Sequence, residues 1–213
     1  MSPDPADPVD PSAEADALNE LSLRLMRCVR EGDEQAFREL VELHQHAVIG
    51  TCARMLGCVN EAQDLAQHVF LRVWKAAPRY EPTARFTTWL FTIVRNLVFN
   101  ETRRRSRRPT VSLDAPFPGG NDSGAGTARE VADARAKPAD AAALQHELED
   151  AIDRAIAALP EQQRLAVALR KYQDLPYEEI AAVLNTSVPS VKSLLFRART
   201  QLRQSLRAYL DEG

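Results

Sequence analysis

The sequence predicts an all-α protein of two small helical domains joined by a flexible linker. Three observations support this. Apolar residues recur at helical spacing through two blocks, residues 18–108 and 141–213. Strand-like alternation is absent from the pattern. Between the blocks, residues 109–140 combine Gly119, Gly120, Gly124 and Gly126 with several prolines, which is linker composition.

Residues 1–17 repeat Asp-Pro and Ala with almost nothing to bury, and read as a disordered acidic tail. A first helix carries Leu21, Leu25 and Val29 and ends near Gly32. Asp33 is placed to cap a second, which shows Phe37, Leu40, Val41, Val48, Met55 and Leu56 and stops at Gly57. Asn60 with Gln63 resembles a capping box opening a third helix, with Leu65, Val69, Phe70, Val73 and Trp74 on its apolar face. Pro78 and Pro82 bracket a loop before a fourth helix near Phe86. Beyond the linker, Leu144, Leu148, Ile152, Ile156 and Leu159 mark another helix, broken by Pro160.

Residues 175–203 (LPYEEIAAVLNTSVPSVKSLLFRARTQLR) form the most specific segment. Pro176 suits a first helical turn, and Glu178 and Glu179 favour the positive end of the helix dipole. Asn185 adopts the left-handed conformation that ends a helix more readily than most residues, and Ser187 is a ready N-cap for the next. In that next helix Val191, Leu195, Ala198 and Leu202 share one face. The opposite face collects Pro189, Ser193, Phe196 and Thr200, flanked by Ser190, Lys192, Arg197 and Arg203. Small polar groups followed by cations suit a helix that reads base edges between phosphates. An ordinary helical hairpin with a solvated basic face has the same pattern, so the rest of the chain must decide.

The net charge of −3 conceals segregation. Residues 1–20 hold six carboxylates and no cation, residues 103–108 (RRRSRR) hold five arginines, and residues 188–207 hold Lys192, Arg197, Arg199, Arg203 and Arg207 with no acid. Two local basic stripes on an acidic chain fit a polyanion held at two places. The acidic tail could shield those stripes or simply aid solubility. No apolar run approaches the length of a bilayer span and no signal-peptide core is visible, so a soluble, cytoplasmic protein without membrane insertion is expected. Three cysteines, Cys28, Cys52 and Cys58, fit reduced buried thiols better than a disulfide frame.

The segments NEAQDLAQHVFLRVWKAAPRY, FTTWLFTIVRNLVFNETRRRSR and ALPEQQRLAVALRKYQDLPYEEIAAVLNTSVPSVKSLLFRAR, in this order, resemble the bacterial RNA polymerase sigma factors of the extracytoplasmic-function group, in the sigma-70 family. The match spans roughly residues 20–108 and 141–207. The resemblance implies σ domain 2 at 18–108 and σ domain 4 at 141–213. It implies core RNA polymerase as a partner, through its clamp and flap, together with promoter DNA and an anti-sigma factor. Asp64, Gln67, Phe70 and Leu71 then become candidates for the clamp surface; the outward ones, Asp64, Gln67 and Leu71, suit a small apolar centre with a polar rim. The loop 78–85 would hold a flipped base, making Tyr80 and Arg85 candidates beside Arg95, Asn96, Arg103 and Arg104 for the −10 element. Asn96 is the base-contact candidate, and Arg95, Arg103, Arg104 and Arg105 are the phosphate candidates. Trp89 and Phe91 favour the core. Pro189, Ser190, Lys192, Ser193, Phe196, Arg197 and Arg199 are the −35 candidates. Where the family pattern reads KSRLHRAR, this chain has Leu194 for the arginine and Phe196 for the histidine. Phe196 suits thymine methyls or a protein partner equally.

His44, His46, Cys52 and Cys58 fit no compact zinc spacing. No phosphate loop, nucleophile elbow or HExxH motif is present, so neither catalytic residues, a metal nor a cofactor is expected. The expected function is a sigma factor directing promoter recognition, −10 melting and transcription initiation. A free-standing helix-turn-helix transcriptional regulator is the alternative, and a metal-dependent enzyme built on the His/Cys set is a third reading.

Overall fold

The computed structural model describes residues 11–107 and 139–210, and every regular element among them is helical. The first block contains α1 (Pro11–Arg30), α2 (Glu34–Leu56), α3 (Val59–Ala76), a single 3-10 turn (Ala77–Arg79) and α4 (Phe86–Arg107). The second contains α5 (Ala139–Ala157), α6 (Glu161–Tyr172), α7 (Tyr177–Leu184), α8 (Val188–Ser205) and the short α9 (Arg207–Leu210). The proposed linker lies almost wholly outside the described residues, as do residues 1–10 of the acidic tail.

The local signals mostly act where the sequence places them. Asp33 Oδ1 accepts from Gln35 N at 2.8 Å and Ala36 N at 3.0 Å, filling two of the orphan donors that open α2. Gly57 closes α2 at φ 72°, and its N–H bonds Ala53 O. Asn185 takes φ 52°, and Thr186 N reaches back to Ala181 O at 2.9 Å, ending α7 with a left-handed residue. Ser187 caps α8 by accepting from Ser190 N.

Three expectations need correction. Helix α1 begins at Pro11, inside the segment read as a disordered tail. Alanines alternating with acids are adequate helix formers, and Asn19 and Asp16 gain partners at the start of α4, which tertiary contact supplies and composition cannot show. Helix α3 starts at Val59, with Cys58 as an N-cap lacking a side-chain bond, so Asn60 and Gln63 form no capping box. Pro176 is the extended residue before α7 rather than part of its first turn. The thiols also divide: only Cys52 is buried, where desolvation pushes its pKa up to about 12, while Cys28 and Cys58 are exposed.

The two blocks are not independent bodies in this arrangement. Helix α7 packs on α4 and α6 on α2, so one apolar core runs from Met26, Leu40, Val48 and Phe86 into Leu165, Leu169, Leu175 and Ile180. Polar contacts cross the same seam. Arg164 Nη1 donates to Met55 O at 2.9 Å, the Arg54 guanidinium lies 3.5 Å over the Tyr172 ring, and Thr88 Oγ1 donates to Glu179 Oε2 at 2.7 Å.

Within the first block, His44 is buried against Phe86, ring centroids 5.0 Å apart, and shares a 2.8 Å hydrogen bond with Ser22. Burial pushes its pKa down to about 4 from an ordinary 6.5. An unfolded chain therefore binds this proton first, and the folded state loses stability as pH falls from 6.5 to about 4. The loss from this group alone is about 3 kcal/mol across that window. Urea unfolding of His44→Gln, which keeps a polar partner for Ser22, should show a shallower decline over that range than the parent. Parallel curves would remove His44 as the source.

Candidate nucleic-acid and polymerase interface

Helix α8 turns a mixed sequence into two faces. Val191, Leu195 and Ala198 are essentially inaccessible, fixing the helix against α5, α6 and α7. Pro189, Ser190, Lys192, Ser193, Phe196, Arg197 and Arg199 are all exposed on the remaining surface. Phe196 is 71% exposed, the most exposed large apolar side chain among the described residues. Leu194 is half-buried. At the helix N-terminus Ser190 Oγ lies 3.0 Å from Ser187 Oγ. The reading face is thus formed before any ligand arrives.

Helix α4 presents a different picture, because many of its candidate cations already have partners. Arg105 donates to Leu56 O at 3.0 Å and pairs with Glu61 and Glu101. Arg104 forks onto Glu101 with two 2.7 Å bonds, and these hold the Glu101 carboxyl below its usual range, with Arg105 assisting. Arg95 is half-buried and bonds Asn96 Oδ1 at 2.6 Å, so the two side chains present one joint polar surface. Arg85 is half-buried between Asp16 and Glu179. Asn100, Arg103, Arg104 and Arg107 line an open cationic hollow of about 420 Å³.

Tyr80, chosen from sequence as a surface reader, is 7% exposed and stacks edge-on against Trp89 at 4.6 Å. Its hydroxyl is buried without a hydrogen-bond partner, and burial raises its pKa. It nevertheless lines a concavity of about 1080 Å³, with Arg72, Lys75, Arg79, Trp89 and Ile93. Those three cations went unnoticed in sequence; their signal was the i, i+3, i+7 spacing through the last turn of α3 and the 3-10 turn after it. Phe91 is core, as expected, and Trp89 is half-buried.

On α3 the partner-surface candidates Asp64, Gln67 and Leu71 are exposed, the last by 53%, as are Gln63, His68 and Arg72. Phe70, included among the partner-surface candidates, is only 7% exposed and belongs to the core, because its position on the 3.6-residue repeat follows Ala66 and Val73 inward. Beside Leu71 lies an apolar groove of about 510 Å³ lined by Phe37, Val41 and Trp74 and rimmed by Glu34 and Arg38. Phe37 and Trp74 stack at 5.0 Å and are half-buried, so they are both core and surface. Periodicity assigns such residues to the core alone.

The His/Cys set is dispersed. His44 is committed to Ser22, Cys52 is buried, and Cys58 lies at the far end of α2 beside Gly57. Among the described residues no group of three or more His, Cys, Asp or Glu side chains is placed to hold a metal, and no helix is long and apolar enough to cross a membrane.

Residues 40–108 match the family description Sigma-70 region 2, and residues 149–202 match Sigma-70, region 4. The chain is 33% identical over 194 residues to the RNA polymerase sigma-H factor of Pseudomonas aeruginosa, covering 89% of this chain and 96% of that protein. It is 33% identical over 179 residues to the ECF RNA polymerase sigma factor SigW of Bacillus subtilis, covering 84% and 93%. Among solved structures, CnrH in complex with the cytosolic domain of CnrY superposes with a TM-score of 0.62, at 24% identity, over 88% of this chain and 98% of that one. RpoE of Bartonella quintana, in complex with the anti-sigma factor NepR, gives 0.60 at 24% identity, over 80% and 96%. These two likenesses concern the fold.

The arginine run divides by partner. Arg105→Ala should cost about 1–2 kcal/mol of stability in denaturant unfolding, since it removes a charged donor from a helix-terminal carbonyl. Arg103→Ala, at an exposed position, should stay within about 0.5 kcal/mol. Equal losses would contradict the division.

Proposed function

Because the chain belongs to the extracytoplasmic-function group of the sigma-70 family of RNA polymerase initiation factors, we propose that it holds a promoter at two points, α4 with its preceding loop at the −10 element and α8 at the −35 element. As a member of that family it binds core RNA polymerase and directs promoter-specific initiation of transcription. The observation that carries the finer assignment is the reading face of α8. Polar and cationic side chains stand exposed opposite three buried anchors, the geometry that places a recognition helix in a major groove.

In this reading Ser190, Ser193 and Arg197 contact base edges, while Lys192 and Arg199 hold phosphates. Phe196 adds an apolar contact suited to a thymine methyl. At the −10 element the concavity between Tyr80, Trp89 and the cations Arg72, Lys75 and Arg79 receives an unstacked base. The half-buried Trp89 ring gives it a stacking surface, and the cations hold the flanking phosphates. Asn96, exposed on α4, reads a neighbouring base. Asp64, Gln67 and Leu71 dock a helix of the polymerase clamp, with the Phe37–Trp74 groove extending the apolar centre.

The chain performs no bond chemistry itself; the polymerase does. It works in the cytoplasm, where the polymerase and promoter are. CnrH and the Bartonella RpoE are each seen with a bound partner, CnrY and the anti-sigma factor NepR, and an inhibitor of that kind is the regulator expected here. A free-standing duplex-binding regulator would leave the α3 surface and the −10 concavity unused.

Transcription reconstituted with core polymerase and a promoter library tests the assignment. Initiation above core alone is expected; binding of duplex DNA without any initiation would favour the free-standing regulator. In the same system Asp64→Ala should weaken core binding on the order of tenfold with the fold intact. Unchanged affinity would take that residue out of the interface. Arg197→Ala should relax −35 selectivity by about 1–3 kcal/mol at one base pair. An unaltered promoter profile would contradict its reading role.

A further inference from the structure

Arg85 sits at the entrance to α4, at the end of the loop that the reading above places at the −10 element. In the chain by itself the position is already filled with carboxylate. Asp16 of α1 reaches it from one side, and Glu179 of α7 from the other, Oε1 lying 3.3 Å from Arg85 Nε. The second Glu179 oxygen accepts from Thr88 Oγ1 at 2.7 Å, and Asn19 Oδ1 accepts from Phe86 N at 2.9 Å. The start of α4 is therefore held by groups from α1 and from α7, which lies in the other half of the chain. The Asp16 side chain is 62% exposed, so its pairing is weak and salt-screened. Glu179 is only 17% exposed and is the firmer arm.

Geometry makes this clasp consequential. Helix α7 packs on α4, so the two DNA-facing halves touch. The −10 and −35 elements are about 25 base pairs apart, roughly 85 Å of B-form duplex at 3.4 Å per pair. A closed chain cannot reach both. The 31 residues between Arg107 and Ala139 could reach about 100 Å if fully extended, so the covalent chain permits the halves to part. Parting removes Glu179 from Arg85, and promoter phosphate competes for the same guanidinium.

We propose that Asp16 and Glu179 are internal stand-ins for promoter phosphate, which shield Arg85 and hold the second half of the free chain closed on the first. DNA binding at the −10 element and separation of the halves then draw on one arginine. The idea rests on the assignment of Arg85 to the −10 element. It adds that the free chain is shielded by its own acids, through one carboxylate that leaves when the halves part and one that remains.

The test uses the full chain, free and in holoenzyme, with a single-stranded −10 oligonucleotide and a scrambled control. Asp16→Asn and Glu179→Gln remove charge while leaving polar atoms for Arg85 and Thr88. Each should raise the free chain's affinity for the −10 strand by about two- to fivefold, and both together by about tenfold, mostly at low salt. In an Arg85→Ala background neither should have an effect. In holoenzyme, with the halves apart on core polymerase, the Glu179→Gln gain should vanish and the Asp16→Asn gain persist. Free-chain affinities that do not respond to either substitution, while Arg85→Ala still impairs holoenzyme binding, would overturn the shielding and leave the −10 assignment standing. Holoenzyme binding unaffected by Arg85→Ala would sink both.

Discussion

The carbonyls at the C-terminus of α2 are the constraint around which the molecule is assembled. A helix end leaves carbonyl groups without intrahelical donors, and here the end is at least partly buried. Gly57 supplies one N–H, to Ala53 O. Met55 O and Leu56 O are met by guanidinium groups, Arg164 from α6 at 2.9 Å and Arg105 from α4 at 3.0 Å. Cations at this end also oppose the negative pole of the α2 dipole. One helix terminus therefore fixes the basic end of α4 and docks the second half of the chain.

That joint is well suited to being undone. Arg164 is half-buried, burial disfavours its charged form, and its Nε has no partner. Water can replace its bond to Met55 O once the halves part, so the polar part of the seam is exchangeable rather than lost. The same holds for Glu179 with Thr88 and for Arg54 over Tyr172. What opposes separation is the apolar contact of Leu175 and Ile180 with the first-block core. Interfaces of mixed character between domains are the kind that open and close in use.

The helices, their order and most of their ends were legible because each depends on local chemistry: Asp33 and Ser187 as caps, Gly57 and Asn185 as left-handed stops. The reading face of α8 was legible for the same reason, since helical spacing sorts seven exposed candidates from the buried Val191, Leu195 and Ala198. Three features were not legible. The first turns of α1 gain from Asp16 and Asn19 meeting a helix 67 or more residues away. Tyr80 is a loop residue in sequence but lies under Trp89 and Phe86 in space. Phe37 and Trp74 follow a core pattern yet edge a surface groove. Each case turns on a long-range contact, which periodicity cannot register.

The two DNA-facing helices are consequently not equivalent. On α8 the anchors are apolar and the groups proposed for recognition are exposed. On α4 the groups proposed for recognition share their environment with structural acids: Glu101 holds Arg104 and Arg105, and Glu179 and Asp16 hold Arg85. Binding there exchanges internal pairs for phosphate, so the net gain per contact is the difference between two ion pairs rather than one whole pair. In the proposed assignment the paired cations of α4 therefore contribute less to −10 binding, and the concavity beside Trp89 contributes more. Under the proposed assignment the −35 element meets the exposed face of α8, and the −10 element meets a surface whose ion pairs must first be released. That asymmetry follows from where the acids are: α8 carries none, and α4 lies among five.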